Sequence, residues 1–194
     1  MTRNRLLIVP RWAGRPESDF YPWLLSTLAT EHPGRFGEAR ALALPRPELP
    51  EVAVWPAAIR AALGADPEVL AHTYVLAHSV GCQAVIRALS ELPAGVAVAG
   101  VLAVAGWWEL DKPWDSIRPW LEPVPQLARA GAAARRWLLL SSDNDPFTSD
   151  WERNQRLWAE RLGAQCRLGC GGRHFNAAAE PEVLAALLAL CAPA

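Results

Sequence analysis

Three residue types that can perform nucleophilic catalysis occur along this chain in the order serine, aspartate, histidine. Ser79, Asp145 and His174 each follow a segment that predicts a β-strand. A serine hydroxyl becomes a nucleophile when a base takes its proton, and a carboxylate orients that base and stabilises its protonated form. The pattern therefore predicts Ser79 as nucleophile, His174 as base and Asp145 as the acid. Asp143 is the alternative acid, because it lies in the same turn.

The segment around Ser79 predicts a sharp turn between a strand and a helix. The apolar run 73–77 precedes the serine, and small and apolar residues at helical spacing follow it. Such a turn projects the serine hydroxyl beyond the sheet, and it needs small residues two positions before and after the serine. Ala77 and Gly81 occupy these positions, although glycine is usual at both. We expect His78 to pack or to orient a neighbour, with its side chain pointing away from Ser79.

Predicted strands alternate with predicted helices along the whole chain. The strands are 5–9, 38–44, 73–77, one within 95–105, 136–140 and 165–168. The helices are 22–31, 55–63, one after Ser79, 125–130, one capped by Ser149 with Glu152 completing a capping box, and 181–191. This alternation predicts an α/β fold, with a parallel sheet and helices on both faces. The carboxyl ends of parallel strands meet at one edge, so the three candidate catalytic residues are expected there.

Composition predicts a single domain, 1–194, that binds neither nucleic acid nor membrane. The net charge is −1, which provides no basic surface for an anionic partner. No apolar run approaches the roughly 20 residues that a membrane span needs. The N-terminus lacks the pattern of a signal peptide, so a cytoplasmic location is expected. The four cysteines and four histidines have no metal-binding spacing, and we expect neither a metal nor a cofactor.

Acyl transfer also requires N–H donors for the negatively charged oxygen of the tetrahedral intermediate. The backbone N–H of Val80 is expected to be one donor, because it begins the helix after the serine. The loop after the first strand, around Arg11 and Trp12, is expected to supply the second.

The loop 11–15 and the tryptophan-rich segment 106–120 follow strands one and four, so both are expected to flank Ser79. We expect Arg11, Trp107 and Trp108 to line a narrow pocket that favours short acyl groups. Alternatively, Arg11 points to solvent and the tryptophans pack beneath the loop.

Four segments of the chain resemble, in order, those of the YdeN-like small serine hydrolases, a group that includes the retinoblastoma-binding serine hydrolase. The segments are IVPRWAG, VLAHSVGC, SSDNDPF and GGRHFN. The resemblance implies a compact α/β-hydrolase with six parallel strands in the order 2-1-3-4-5-6 and no separate lid domain. It also implies the triad Ser79, Asp145 and His174, with the aspartate before Pro-Phe preferred to Asp143.

Two arginines depart from the pattern of that family, which has glycine at both places. Arg11 follows Pro10, and Arg173 precedes the candidate catalytic histidine. Three alternative consequences of Arg11 stay open: it narrows the site, it binds a substrate carboxylate, or it weakens activity.

The leading functional hypothesis is a serine hydrolase that cleaves small esters or related acyl compounds. The alternative is a protein-binding module on a hydrolase scaffold, since ten tryptophans are many for 194 residues and exposed aromatic residues mark interfaces. The expected partners are thus a small ester or acyl substrate and, under the alternative, a protein. Transferase or haloperoxidase-like use of the same triad is a third possibility.

Overall fold

A parallel six-stranded sheet forms the centre of the computed structural model, which describes residues 3–192. Its strands are β1 (Arg5–Val9), β2 (Glu38–Ala41), β3 (Thr73–His78), β4 (Gly100–Val104), β5 (Trp137–Ser142) and β6 (Gln165–Gly169). They pair in the order β2-β1-β3-β4-β5-β6, and every pairing is parallel. This confirms the strand order that the family resemblance implied. It also brings the ends of β1, β3, β5 and β6 to one edge.

Helices connect the strands and cover both faces of the sheet. They are α1 (Tyr21–Glu31), α2 (Trp55–Leu63), α3 (Pro67–Ala71), α4 (Val80–Ser90), α5 (Arg118–Leu121), α6 (Leu127–Ala132), α7 (Trp151–Leu162) and α8 (Pro181–Leu190). The short helices α3 and α5 were not predicted. For α3 a signal was present, because Asp66 accepts a hydrogen bond from the N–H of Glu68 and Pro67 occupies the first turn.

Side chains of the central strands alternate between two hydrophobic clusters. In β1, Leu7 and Val9 face the cluster that contains α2, α4 and α7, whereas Leu6 and Ile8 face the one that contains α1 and α8. Helix α4 is buried along its whole length, from Val80 to Ser90. Full burial of each large apolar side chain contributes roughly 1.5–3 kcal/mol. The helix that follows Ser79 is therefore firmly held against the sheet.

The predicted cap of α7 was wrong by one residue. Asp150, not Ser149, is the N-cap, and its carboxylate accepts a hydrogen bond from the N–H of Arg153 at 2.9 Å. The N–H of Ser149 instead donates to Asp111 at 2.9 Å. A carboxylate at the N-cap also interacts favourably with the helix dipole, which explains why the helix begins one residue later.

The segment between β4 and β5 contains the short helices α5 and α6 and all four clustered tryptophans. Trp107 and Trp120 are buried, Trp108 is half-buried and Trp114 is 39% exposed. Trp120 packs edge-on against Trp55, and its indole N–H donates to the carbonyl of Pro50. Two of the four clustered tryptophans are therefore core residues, which the proline-rich sequence around them did not indicate. Among residues 3–192, no helix has the length and apolarity needed to cross a membrane.

Candidate active site

Ser79 lies at the sharp turn between β3 and α4. Its backbone has φ 55° and ψ −123°, a region that non-glycine residues rarely occupy. A Cβ atom at Gly81 would lie 2.6 Å from the carbonyl oxygen of Pro10, so only glycine fits there. The first turn of α4 can therefore lie directly against the end of β1. The strained serine and the required glycine match the turn that the sequence predicts.

Asp145 and His174 form a buried pair at the ends of β5 and β6. The carboxylate Oδ2 of Asp145 lies 2.8 Å from Nδ1 of His174, and Oδ1 accepts the N–H of Phe147 at 2.9 Å. Both side chains are less than 10% exposed. Since a carboxylate accepts, the pair assigns the proton to Nδ1 and leaves Nε2 of a neutral ring free to act as a base.

The alternative acid, Asp143, has a different position. It is exposed, and its carboxylate accepts the N–H of Gly171 at 2.8 Å. Its neighbour Asn144 accepts the N–H of Arg173 at 2.7 Å. The turn after β5 thus holds the histidine loop at two backbone positions and places Asp145 on the imidazole itself.

Ser79 and His174 line the same cavity, whose volume is about 300 Å³. Within residues 3–192, the Ser79 hydroxyl makes no hydrogen bond to another protein group, and its oxygen is accessible from the cavity. Catalytic hydrogen bonds often tighten only when substrate is bound, so the open geometry is compatible with a nucleophile and its base.

Two backbone N–H groups beside Ser79 are available as donors. In the loop after β1, the N–H of Arg11 donates to the Tyr21 hydroxyl, that of Ala13 to Pro47 and that of Gly14 to Arg11. In the part of the chain that the structure describes, the N–H groups of Trp12 and Val80 have no such partner. Both residues line the cavity that contains Ser79. The sequence analysis named the same two N–H groups as expected donors, and their role stays a prediction.

Arg11 borders the cavity, but its guanidinium group is already engaged. Nε and Nη2 donate to the carboxylate of Asp19 at 2.7 and 2.9 Å, and Nη1 donates to the carbonyl of Trp12 at 2.7 Å. The Asp19 side chain is 6% exposed. This bidentate pair braces the loop that carries the Trp12 N–H. It also leaves Arg11 poorly suited to bind a substrate carboxylate.

The two adjacent tryptophans predicted to line the pocket separate in the structure. Trp107 lines the cavity with Ser79, and its carbonyl accepts a hydrogen bond from the Gln83 side chain. Trp108 instead lines a different cavity of about 270 Å³, where the Arg161 guanidinium lies over its ring and the Trp158 ring packs against it at a tilt of 53°. The prediction for Trp108 is therefore corrected: the chain bends at Trp108, and the two adjacent side chains line different cavities.

Phe147 and Asn176 complete the cavity wall and were not predicted to do so, whereas the other wall residues lie in the two segments expected to flank Ser79, namely Ala13, Leu110, Trp114 and Ile117. Aromatic rings form much of the rim. Trp12 and Trp114 are 5.5 Å apart, Trp114 and Phe147 6.2 Å, and Phe147 and His174 4.7 Å, measured between ring centroids. Phe147 was quoted only as part of a motif, although its position directly after Asp145-Pro146 places it at the same sheet edge.

The chain belongs to the serine hydrolase family, whose model matches residues 6–189. A comparison with curated proteins finds no match.

Solved structures of low sequence identity share the fold. The ydeN gene product of B. subtilis is 20% identical, with a TM-score of 0.80 over 96% of this chain and 98% of that one. Esterase RhEst1 from Rhodococcus sp. ECU1013 is 15% identical, with a TM-score of 0.65 over 97% and 90%. A carboxylesterase from Nitrososphaera gargenis is 11% identical, with a TM-score of 0.69 over 97% and 91%. Together with the strand order, these similarities establish an α/β-hydrolase fold.

Proposed function

We propose that this protein is a serine esterase that cleaves small, neutral esters of short acyl groups through an acyl-enzyme intermediate on Ser79. The observation that carries the proposal is the buried Asp145–His174 pair beside the same cavity as Ser79. Trp12 and Val80 line that cavity, and within residues 3–192 their backbone N–H groups have no hydrogen-bond partner. Membership of the serine hydrolase family supports the same class of reaction.

In the first half of the reaction, His174 Nε2 takes the proton of the Ser79 hydroxyl as its oxygen attacks the ester carbonyl. Asp145 stabilises the imidazolium that forms. The N–H groups of Val80 and Trp12 donate to the oxyanion, and the dipole of α4 adds to this stabilisation at Val80. The imidazolium then gives its proton to the departing alcohol, which leaves an acyl group on Ser79.

In the second half, water replaces the alcohol. His174 takes a proton from that water as its oxygen attacks the acyl carbonyl, and the same N–H groups stabilise the second tetrahedral intermediate. Collapse of the intermediate releases the carboxylic acid, and the proton returns to the Ser79 oxygen.

The preference for short, neutral acyl groups follows from the cavity. Its volume of about 300 Å³ lies at the lower end of ligand pockets, and Trp107, Leu110 and Ile117 give it apolar walls. The ion pair with Asp19 occupies the guanidinium of Arg11, so this cation does not favour an acidic acyl group. Apolar walls stabilise a buried acyl chain by roughly 25 cal/mol per Å².

A series of p-nitrophenyl esters from acetyl to octanoyl tests the proposal. We expect kcat/KM to be highest for short chains and Ser79→Ala to lose turnover on all of them. Trp107→Ala should extend the range to longer chains. The matched control is Trp108→Ala, which removes the adjacent tryptophan outside the cavity and should leave the chain-length profile unchanged. Equal turnover by Ser79→Ala, or a wild-type optimum at octanoyl, would contradict the proposal.

A protein-binding role is the second candidate, and one observation favours it. Trp114 and Phe147 are about 40% exposed and lie together at the mouth of the cavity. The esterase assay separates the two functions, because a binding module does not require the Ser79 hydroxyl. If Trp114→Ala keeps full esterase activity, substrate binding does not explain why Trp114 and Phe147 are exposed.

A further inference from the structure

Two polar residues outside the proposed triad lie buried directly behind it. Tyr21 is the first residue of α1, and His78 is the last residue of β3, immediately before Ser79. Both have 0% relative exposure. A buried hydroxyl and a buried imidazole destabilise the fold unless hydrogen bonds satisfy them. Their partners are therefore informative.

Hydrogen bonds join these residues into one chain across the site. The Tyr21 hydroxyl oxygen lies 3.2 Å from the backbone nitrogen of Arg11 and 2.8 Å from Nδ1 of His78. On the other side of the ring, Nε2 of His78 lies 2.8 Å from the backbone carbonyl oxygen of His174. The chain runs from the loop after β1 to the loop after β6.

The chemistry of the end groups assigns every proton in this chain. The His174 carbonyl can only accept, so Nε2 of His78 carries the hydrogen, and Nδ1 of the neutral ring is an acceptor. The Tyr21 O–H donates to Nδ1, and its oxygen accepts the Arg11 N–H. Burial, followed by the nearby His174, holds the pKa of His78 well below its ordinary value, which agrees with a neutral ring.

Both ends of the chain attach to groups that the reaction needs. Arg11 directly precedes Trp12, whose N–H is the proposed second oxyanion donor, so fixing the Arg11 peptide helps to fix that donor. At the other end, the carbonyl belongs to the proposed base itself. The rings of His78 and His174 also pack against each other, with centroids 5.4 Å apart.

We propose that Tyr21 and His78 are positioning residues that hold the oxyanion loop and the histidine loop in register around Ser79. This inference rests on the proposed function. Neither side chain contacts the substrate or takes part in proton transfer. Each acts through the backbone of a loop, and together they set the spacing between the N–H of Trp12 and the imidazole of His174.

Tyr21→Phe tests the proposal most cleanly, because it keeps the buried ring and removes only the hydroxyl. Tyr74→Phe is the matched control: Tyr74 is the other tyrosine of the chain, and its ring packs against Phe36 away from the site. We expect kcat of Tyr21→Phe to fall about 10- to 100-fold with KM little changed, because misplaced groups lose transition-state stabilisation. Tyr74→Phe should keep the wild-type kcat. Equal kcat values for both variants would overturn the proposal.

Conservative replacement of His78 provides a second kinetic test. His78→Gln retains a side-chain donor that can reach the His174 carbonyl, whereas His78→Leu retains none. We expect His78→Gln to recover part of the kcat that His78→Leu loses. Equal losses in the two variants, with both folded by circular dichroism, would count against positioning through this hydrogen bond.

A measurement on the wild-type protein keeps the proposal testable without activity. Nitrogen-15 NMR of the imidazoles should show His78 protonated on Nε2 and unprotonated on Nδ1 between pH 6 and 8. Protonation on Nδ1 would overturn the hydrogen-bond chain. If wild type hydrolyses no ester while His78 has the expected tautomer, the proposed function is wrong, but the hydrogen bonds that join Arg11, Tyr21, His78 and His174 are still supported.

Discussion

The loop after β1, residues 10–19, and the loop after β6, residues 170–176, both border the proposed site, but different contacts hold them in place. The first is braced from within, because Arg11 reaches forward to Asp19 and to the carbonyl of Trp12. The second is held from outside, because Asp143 and Asn144 of the neighbouring turn accept its backbone N–H groups.

Each loop contains an arginine where the resembled family has glycine, and the two arginines behave differently. Arg11 is half-buried in a bidentate ion pair. Arg173 is exposed and has φ 50°, a left-handed conformation that favours glycine. An arginine in place of glycine thus stabilises the first loop through an ion pair, whereas in the second loop it strains the backbone. Its consequence depends on the contacts available to the side chain.

The largest effect on kcat is expected from substitutions in the turn after β5, which contacts the second loop. Asp145→Asn should lower kcat by about 10⁴-fold, because it removes the charge that stabilises the imidazolium and favours the wrong tautomer. Asp143→Asn should cost far less, since the side-chain oxygen can still accept the Gly171 N–H. Steady-state kinetics on a short-chain ester provide the comparison. A larger loss for Asp143→Asn would mean that the acid has been misassigned.

Loss of the ion pair between Arg11 and Asp19 in the first loop should have the next largest effect on kcat. If Arg11 only narrowed the site or weakened activity, Arg11→Gly would raise activity on neutral esters; the ion pair with Asp19 predicts the opposite. Arg11→Gly should lower kcat by about 10-fold, a fraction of the 10²–10³ associated with losing one oxyanion donor. Arg15→Gly, which breaks an exposed ion pair with Glu48 in the same loop, is the control. Higher activity in Arg11→Gly would show that the ion pair between Arg11 and Asp19 does not position Trp12.

His78 joins the two loops, and its burial should make the free energy of unfolding depend on pH. The pKa of buried His78 lies well below the roughly 6.5 of an unfolded histidine, and Tyr21, His174 and Arg11 face its ring. Below pH 6.5 the unfolded chain binds a proton that folded His78 does not. Stability should therefore fall with decreasing pH, by up to about 1.4 kcal/mol per unit, until the folded pKa is reached.

Urea unfolding between pH 5 and 7 measures this slope, and His78→Gln should have a shallower one. The same slope in both proteins would indicate that His78 is already charged in the fold or that other groups dominate.

The smallest effect is expected at Arg173. Arg173→Gly relieves left-handed strain of about 1–2 kcal/mol but loses part of that gain to the entropy of glycine in the unfolded chain. We expect a net stabilisation below about 1 kcal/mol in urea unfolding, with kcat nearly unchanged. Arg173→Ala, which removes the charge and keeps the strain, should not be stabilised. If both variants gain stability equally, charge and not backbone strain is responsible.

The alternation of strands and helices and the sheet edge that carries the candidate site were predictable because they depend on patterns within single segments, whereas the strand order was implied by the family resemblance. The strands before Ser79 and Asp145 are short apolar runs, and the strand before His174 is a short segment of mixed polarity that follows a helix. Trp107 and Trp108 show the limit of this reasoning. Their sequence context is the same, and only the path of the backbone decides which of them reaches the cavity.

Contacts between distant segments were not predictable. Nothing in the sequence pairs Arg11 with Asp19 or Tyr21 with His78, because neither pair has the spacing of a regular element. Burial then converts these pairings into strong constraints, since a buried polar group must find a partner. The proposed catalytic residues could be found from strand ends, whereas the residues that position them required the structure.

Labelling with a fluorophosphonate tests the central claim most directly, because this reagent reacts with an activated serine. Wild type should gain one adduct, which peptide mass spectrometry should place on Ser79, and denatured wild type should gain none. Ser79→Ala should stay unlabelled, and Asp145→Asn should label far more slowly. Labelling of Ser79→Ala at the wild-type rate, or no adduct on wild type, would contradict the assignment of Ser79 as the activated nucleophile.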